Sequence, residues 1–315
     1  MPGSLSLSVN AGAAPTTARR IMALPSDALV SRLLRRDAPD NYFIGANARC
    51  FRSVRQVTLF ARCPLFVPTA DLHNRFVLIL GIGQGTAVAC GERVHVIGPG
   101  QALLVPPFTL HRYAQLREEP QPLAFVGFAS DMGDDAPDGV ASVGLDTGVV
   151  PVSAEAWQVL DQLEAACDAR PALLPALTLQ LLELLAEGAP GAAGQPVEHA
   201  DWARTQRVAQ VARHHPAFAV HELARACGAS EGVLRSAVLE ITGMPIARFM
   251  RQIRLQHTFA LVARRQFAAA AERAGYATPE AYAKAFKAEI GIAPAQFASL
   301  AADNGWRIRP KPVPG

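Results

Sequence analysis

Residues 223–249 and 270–297 repeat one pattern, and two copies of it confine this part of the chain to a tandem of helical units. The first copy reads Leu223-Ala224, three residues, Gly228, then Ser230, Leu234, Val238, Gly243, Pro245 and Phe249. The second reads Ala270-Ala271, three residues, Gly275, then Thr278, Tyr282, Phe286, Gly291, Pro294 and Phe297. Gly228 and Gly275 are 47 residues apart, while Gly243 to Gly291 and Phe249 to Phe297 are each 48. Each feature has a mechanical reading. A small residue, Ala224 or Ala271, lets two helices cross closely, and the glycine four residues on supplies a positive-φ turn. Ser230 or Thr278 then caps a new helix, with Pro279 suited to its first position. The pattern predicts helix, tight turn, helix, twice over.

In each second helix the apolar pair, Leu234 and Val238 or Tyr282 and Phe286, recurs at i, i+4 and turns inward. The opposite side of the first offers Glu231, Gly232, Arg235, Ser236 and Leu239; that of the second offers Pro279, Glu280, Ala283, Lys284 and Lys287. Between the copies, Ile246 to about Arg264 reads as one uninterrupted helix carrying Arg248, Arg251 and Arg254. A rigid spacer of that kind could present two helices to successive turns of one face of DNA, about 34 Å apart. A pair of helical hairpins used for protein contacts would also fit the pattern, and the charge distribution weighs against it. Residues 1–200 hold 14 Lys+Arg and 19 Asp+Glu, net −5, whereas residues 201–315 hold 16 and 8, net +8. A basic domain on a mildly acidic one suits a phosphate-backbone partner.

The rest of the 315-residue chain has a different texture. Residues 1 to about 20 lack a periodic apolar pattern and are expected to be a mobile tail. From Tyr42 to Ser130, short β-type runs (Val54-Phe60, Phe76-Leu80, Thr86-Ala89, Arg93-Ile97, Ala102-Val105, Leu123-Phe128) alternate with Gly and Pro turns, which predicts an all-β sandwich or barrel. Two helices should follow, Ala154 to about Ala169 with Ser153 as N-cap, and about Leu173 to Glu187. The second carries a stripe of Leu173, Leu177, Leu181 and Leu184, which suits either core packing or a dimer seam. Gly188 to Pro196 is a linker by composition. Five scattered cysteines with no C-x-x-C pair give neither a disulfide framework nor a zinc knuckle. No secretory signal and no spanning helix are expected, which places the protein in the cytoplasm without a membrane partner.

The repeat region resembles the AraC/XylS family of transcription activators. The likeness runs over about residues 205–300: L-A-R-A-C-G-A-S-E-G-V-L, then Phe249-Met-Arg-Gln-Ile-Arg-Leu255, then A-G-Y-A-T-P-E-A-Y-A-K-A-F-K-A-E-I-G-I-A-P-A-Q-F. The family places one recognition helix of each unit in consecutive major grooves. Carried over, the readers are Gly232, Arg235 and Ser236 in the first unit and Pro279, Glu280, Ala283 and Lys284 in the second; the caps Ser230 and Thr278 and the exposed Glu231 and Lys287 complete the expected DNA-binding set. Ser236 stands where an arginine is usual, and Val238 where a phenylalanine is. The resemblance implies double-stranded DNA as partner, with RNA polymerase a further one.

The N-terminal part is similar, less specifically, to the cupin-like sensor of the same family, through His73-Asn-Arg-Phe-Val-Leu, Gly98-Pro-Gly-Gln-Ala-Leu-Leu-Val-Pro-Pro107 and His111-Arg-Tyr113. This implies a small barrel with a ligand pocket followed by dimerisation helices, and it favours the seam for the leucine stripe. His73, Arg75, His111 and Tyr113 supply donors and an aromatic face suited to a sugar or an organic acid. A metal-dependent cupin enzyme with an appended helical module is the rival, but Arg75 and Ile79 stand where a second His and a Glu would be expected, so no metal or cofactor is expected. The expected fold is α+β in two domains: a cupin-like β-barrel over 21–150, dimerisation helices over 151–187, a linker over 188–200, and an all-α tandem helix-turn-helix over 201–302, with a tail to 315.

Overall fold

A computed structural model describes residues 22–36, 57–64, 69–114, 121–128, 148–187 and 194–302. The expected tails at either end, and residues 188–193 of the expected linker, lie outside them. Helix α1 (Asp27–Leu33), started by Ser26, leads into strands β1 (Thr58–Arg62), β2 (Phe76–Gly81), β3 (Thr86–Cys90), β4 (Arg93–Ile97), β5 (Gln101–Val105), β6 (His111–Ala114), β7 (Leu123–Phe128) and β8 (Val150–Pro151). Then come α2 (Ala154–Ala169), α3 (Leu174–Ala186) and a short strand β9 (Gln195–Pro196). The helical half consists of α4 (Ala200–His214), α5 (Val220–Cys227), α6 (Glu231–Thr242), α7 (Ile246–Gln256), α8 (Phe259–Ala263), α9 (Phe267–Arg273), α10 (Pro279–Ile290) and α11 (Pro294–Ala302). No helix among the described residues is long and apolar enough to cross a membrane.

The strands form two antiparallel sheets, ordered β1-β7-β2-β5-β8 and β6-β3-β4-β9. Among the described residues no strand pairs across them, so the expected barrel takes the form of two facing sheets. The alternation of each strand explains the layering. Val77, Ile79, Leu103, Val105, Phe60 and Phe125 pack between the sheets. Leu78, Leu80, Leu104, Val126 and Phe128 point the other way, under α1, α2 and α3. The second sheet turns Ala87, Ala89 and Val94 outward onto α4 to α7. The molecule is thus layered as helices, sheet, sheet, then the first helical unit.

The helix α2 begins at Ser153, whose Oγ accepts from the Ala156 N–H at 3.2 Å, as the sequence predicts. The leucine stripe corrects an expectation. Leu174, Leu181, Leu182 and Leu185 are buried with α2 and the outer face of the first sheet, and Leu177 and Leu184 are partly buried on the same core. The five-stranded sheet leaves a whole apolar face uncovered, and it takes two helices rather than one to bury it. In this chain the centre of the stripe is core, and only Leu173 and Leu179 stand out, at 44% and 51% exposure.

Two further corrections concern connections. The described end of the linker is not a free tether: β9 extends the second sheet, with Arg93 opposite Pro196 and Val94 opposite Gln195. A β-carbon on Gly194 would lie 2.5 Å from the Val94 carbonyl oxygen, so only glycine lets the chain run this close. The expected continuous helix from Ile246 to Arg264 is broken after Gln256. Thr258 directs both its N–H (3.0 Å) and its hydroxyl (2.7 Å) to the Leu255 carbonyl, which diverts that acceptor from the regular i→i−4 ladder.

Candidate nucleic-acid interface and sensor site

Each predicted helix-turn-helix forms at the predicted residues. Gly228 (φ 66°) ends α5, and Ser230 caps α6 by accepting from the Val233 N–H at 3.3 Å. In the second unit Gly275 has φ 73°, Thr278 accepts from the Ala281 N–H at 3.2 Å, and Pro279 opens α10. Leu234, Val238, Tyr282 and Phe286 are all fully buried, so the faces opposite them point outward. On α6, Ser230, Gly232, Arg235 and Ser236 are exposed and Glu231 half-buried; on α10, Thr278, Pro279, Glu280, Lys284 and Lys287 are exposed and Ala283 half-buried. Arg235 lies 2.9 Å from Glu231, one turn back. An exposed pair of this kind is worth about 0–1 kcal/mol, so the guanidinium can exchange Glu231 for another acceptor at little loss.

Two contacts that the sequence pattern did not reveal tie α10 to the segment before it and to the first unit. The Thr258 and Tyr282 hydroxyls meet at 2.6 Å in the core. Glu289, on the C-terminal half of α10 with a side chain 8% exposed, takes Arg248 at 3.3 Å and Arg251 at 3.0 Å from α7. Two of the three arginines carried by the expected spacer helix, Arg248 and Arg251, are therefore paired with one largely buried carboxylate.

The four expected sensor residues come together. The His73 and His111 rings are 4.7 Å apart, and Tyr113 meets His111 edge-on at 6.0 Å. Arg75, 3% exposed, is close enough to both imidazoles to act on their charge. Burial, then His111, then Arg75 hold His73 well below the usual histidine range. Burial likewise lowers His111, against the opposing pull of Asp71. Two neutral imidazoles, a guanidinium and a phenol make a site able both to donate and to accept hydrogen bonds. His111 Nδ1 lies 3.2 Å from the Thr109 carbonyl, whereas His73 Nδ1 is buried without a hydrogen-bond partner among the described residues. Leaving such a group unmatched costs about 1–3 kcal/mol, which a bound acceptor or donor would recover. Among the described residues no three His, Cys, Asp or Glu side chains gather as a metal centre would require.

The His73–His111 cluster lies beside the first helical unit, an arrangement that a reading of separate domains does not anticipate. Leu110 donates to Gln206 Oε1 at 2.9 Å, the Trp202 indole N–H donates to the Gly91 carbonyl, and Arg112 lies over the Trp202 ring at 5.9 Å. Phe108 stacks on His257 with ring centroids 4.3 Å apart, and the Arg213 guanidinium lies over the same ring at 5.3 Å. Phe108 holds φ at 58°, where a side chain costs about 1–2 kcal/mol. Glycine or asparagine would have announced such a turn in the sequence; phenylalanine after Pro106-Pro107 does not.

No curated protein matches this chain. Among solved structures, ToxT from Vibrio cholerae O395 is 11% identical, with 78% of this chain and 96% of that one covered and a TM-score of 0.36. Unsaturated fatty acid bound ToxT from Vibrio cholerae strain SCE256 is 10% identical, covering 77% and 94%, with a TM-score of 0.37. The AraC-like transcriptional activator CuxR is 13% identical, covering 65% and 74%, with a TM-score of 0.31. The model of an AraC-like ligand binding domain matches residues 71–186, and that of a helix-turn-helix domain matches residues 223–299. Together the two models span more than half of the chain, which belongs to the AraC family of DNA-binding transcription regulators.

Proposed function

We propose that the protein is an effector-responsive regulator acting in the cytoplasm. A polar small molecule of the sugar or organic-acid class binds among His73, Arg75, His111 and Tyr113. Helices α6 and α10 enter successive major grooves and read or grip DNA through Ser230, Glu231, Gly232, Arg235 and Ser236 and through Thr278, Pro279, Glu280, Ala283, Lys284 and Lys287. Two subunits associate to engage two half-sites, with RNA polymerase as a further partner. The observation that carries this reading is the pair of capped helices, each with one face buried and the other exposed, the exposed side bearing Arg235 on α6 and Lys284 and Lys287 on α10.

Sequencing of DNA fragments that co-purify with the full chain, followed by gel shifts on the recovered fragments and a parallel metal assay, tests the reading. Retardation of those fragments, with no stoichiometric metal, is the expected outcome. Tightly bound metal with no retardation of any fragment would overturn it in favour of a metal-dependent cupin-type enzyme.

A further inference from the structure

The segments that carry the sensor cluster also hold the joints of the DNA-binding half. Ala70 donates its N–H to the Ile241 carbonyl in the last turn of α6, at 2.7 Å. Asn74, between His73 and Arg75, reaches the Gln256 carbonyl with its amide at 3.4 Å. Phe108 donates its N–H to the His73 carbonyl at 2.7 Å and lies flat against His257, the two rings within 3° of parallel. Gln256 and His257 immediately precede Thr258, so two of these contacts converge on the break between the two helix-turn-helix units.

Phe108 is the element held in a strained backbone conformation. Its left-handed backbone is held on one side by the His73 carbonyl and on the other by the His257 ring and the Arg213 guanidinium. Strain of this kind persists only while its surroundings over-determine it, so a change on either side bears on the other.

We propose that Phe108 is a positioning residue that couples occupancy of the His73–His111 cluster to the geometry of the break at His257–Thr258, and so to the placement of one reading helix relative to the other. The inference rests on the reading of that cluster as the effector site and of α6 and α10 as the DNA readers. Coupling of this kind is reciprocal: DNA held by both units fixes the break and, through the same ring stack, the carbonyl of His73.

Native-state hydrogen exchange on the full chain tests it without an effector, using His73→Ala as the perturbation of the cluster. The Thr258 and Val262 amides, bonded to the Leu255 and Thr258 carbonyls, report on the break. Their exchange should change roughly 5-fold or more on His73→Ala, the low end of allosteric couplings. In a Phe108→Leu background the same substitution should leave them unmoved. Because Phe108→Leu disturbs a strained backbone, His257 provides a second approach: His257→Ala should abolish the coupling, and His257→Phe, which keeps a flat ring in the stack, should retain it. Amides at the break that ignore His73→Ala in the parent chain overturn the proposal, as do amides that follow it equally in the Phe108→Leu and His257→Ala backgrounds. The exchange measurement itself needs no DNA: a chain that shows the coupling but retards no fragment in the gel shift keeps the link from the cluster through Phe108 to the break and loses the DNA-reading role that the link would serve.

Discussion

The hydroxyl of Thr258 lies 2.6 Å from that of Tyr282, with both residues fully buried. The single proton of Thr258 goes to the Leu255 carbonyl at 2.7 Å, so it is Tyr282 that donates to Thr258. One hydroxyl therefore both shapes the break after α7 and anchors helix α10. Tyr282→Phe removes one bond and should cost about 0.5–1.5 kcal/mol, whereas Thr258→Val removes two and should cost more. Urea unfolding of the two variants beside the parent measures this, and equal costs would show that the break does not depend on the threonine.

Glu289 acts at the other end of the same contact between helices. Its carboxylate is buried while the two arginines it holds are 56% and 41% exposed, so the pair energies are modest and the geometry matters more. Glu289→Gln should leave the fold intact and loosen the angle between the units. Gel shifts on a recovered DNA fragment with short insertions between its half-sites check this: the parent should lose binding steeply with insertion, and the variant should tolerate it. A variant as strict as the parent would assign the spacing to the apolar contacts alone.

Four histidines, His73, His95, His111 and His257, are all held below the ordinary histidine value of 6.5, chiefly by burial. For His257 the value falls to about 3, with Arg213 and His214 adding to the effect. A lowered histidine is neutral in the folded chain while its unfolded counterpart gains a proton below 6.5. Stability from these groups is therefore complete above 6.5 and declines as pH falls below it, for His257 down to about 3, at about 1.4 kcal/mol per unit of separation. Denaturation midpoints followed from pH 8 downward should be level and then drop; His257→Phe, which removes one such group, should drop less steeply at the acid end.

The parts of the fold set by local chemistry were legible in the sequence. Ser153, Ser230, Thr278 and Pro279 start helices, and Gly228, Gly243, Gly275 and Gly291 end them with positive φ, because each role needs a side chain or a freedom that few residues supply. The segments carrying His73, Arg75, His111 and Tyr113 were singled out by family likeness, and the fold brings those four side chains together. What escaped was tertiary. The periodicity of α3 cannot say whether Leu181 faces a sheet or another subunit, and Thr258 looks like any helical threonine until its hydroxyl is seen on the Leu255 carbonyl. Contacts such as Phe108 on His257 join residues about 150 positions apart, a pairing that no local pattern encodes.

The division of labour between the reading helices gives the last prediction. Lysine is a compact charge suited to phosphates, and α10 presents Lys284 and Lys287 one turn apart, both exposed. Arg235 on α6 has a planar fork able to address guanine O6 and N7, and Glu231 at 2.9 Å orients that fork while binding it only weakly. The first unit should therefore supply more base discrimination and the second more backbone affinity. Arg235→Ala should cost about 1–3 kcal/mol on the preferred fragment and relax preference at one base pair. Lys287→Ala should weaken all sequences alike and flatten the salt dependence by about one unit. Glu231→Gln releases the fork from its guide, so it should blur the same base preference while leaving the salt slope unchanged. Competition binding across single-base variants of a recovered fragment, repeated at several salt concentrations, separates these effects. If Lys284→Ala or Lys287→Ala reorders the variants and Arg235→Ala does not, the roles are reversed and α10 is the reader.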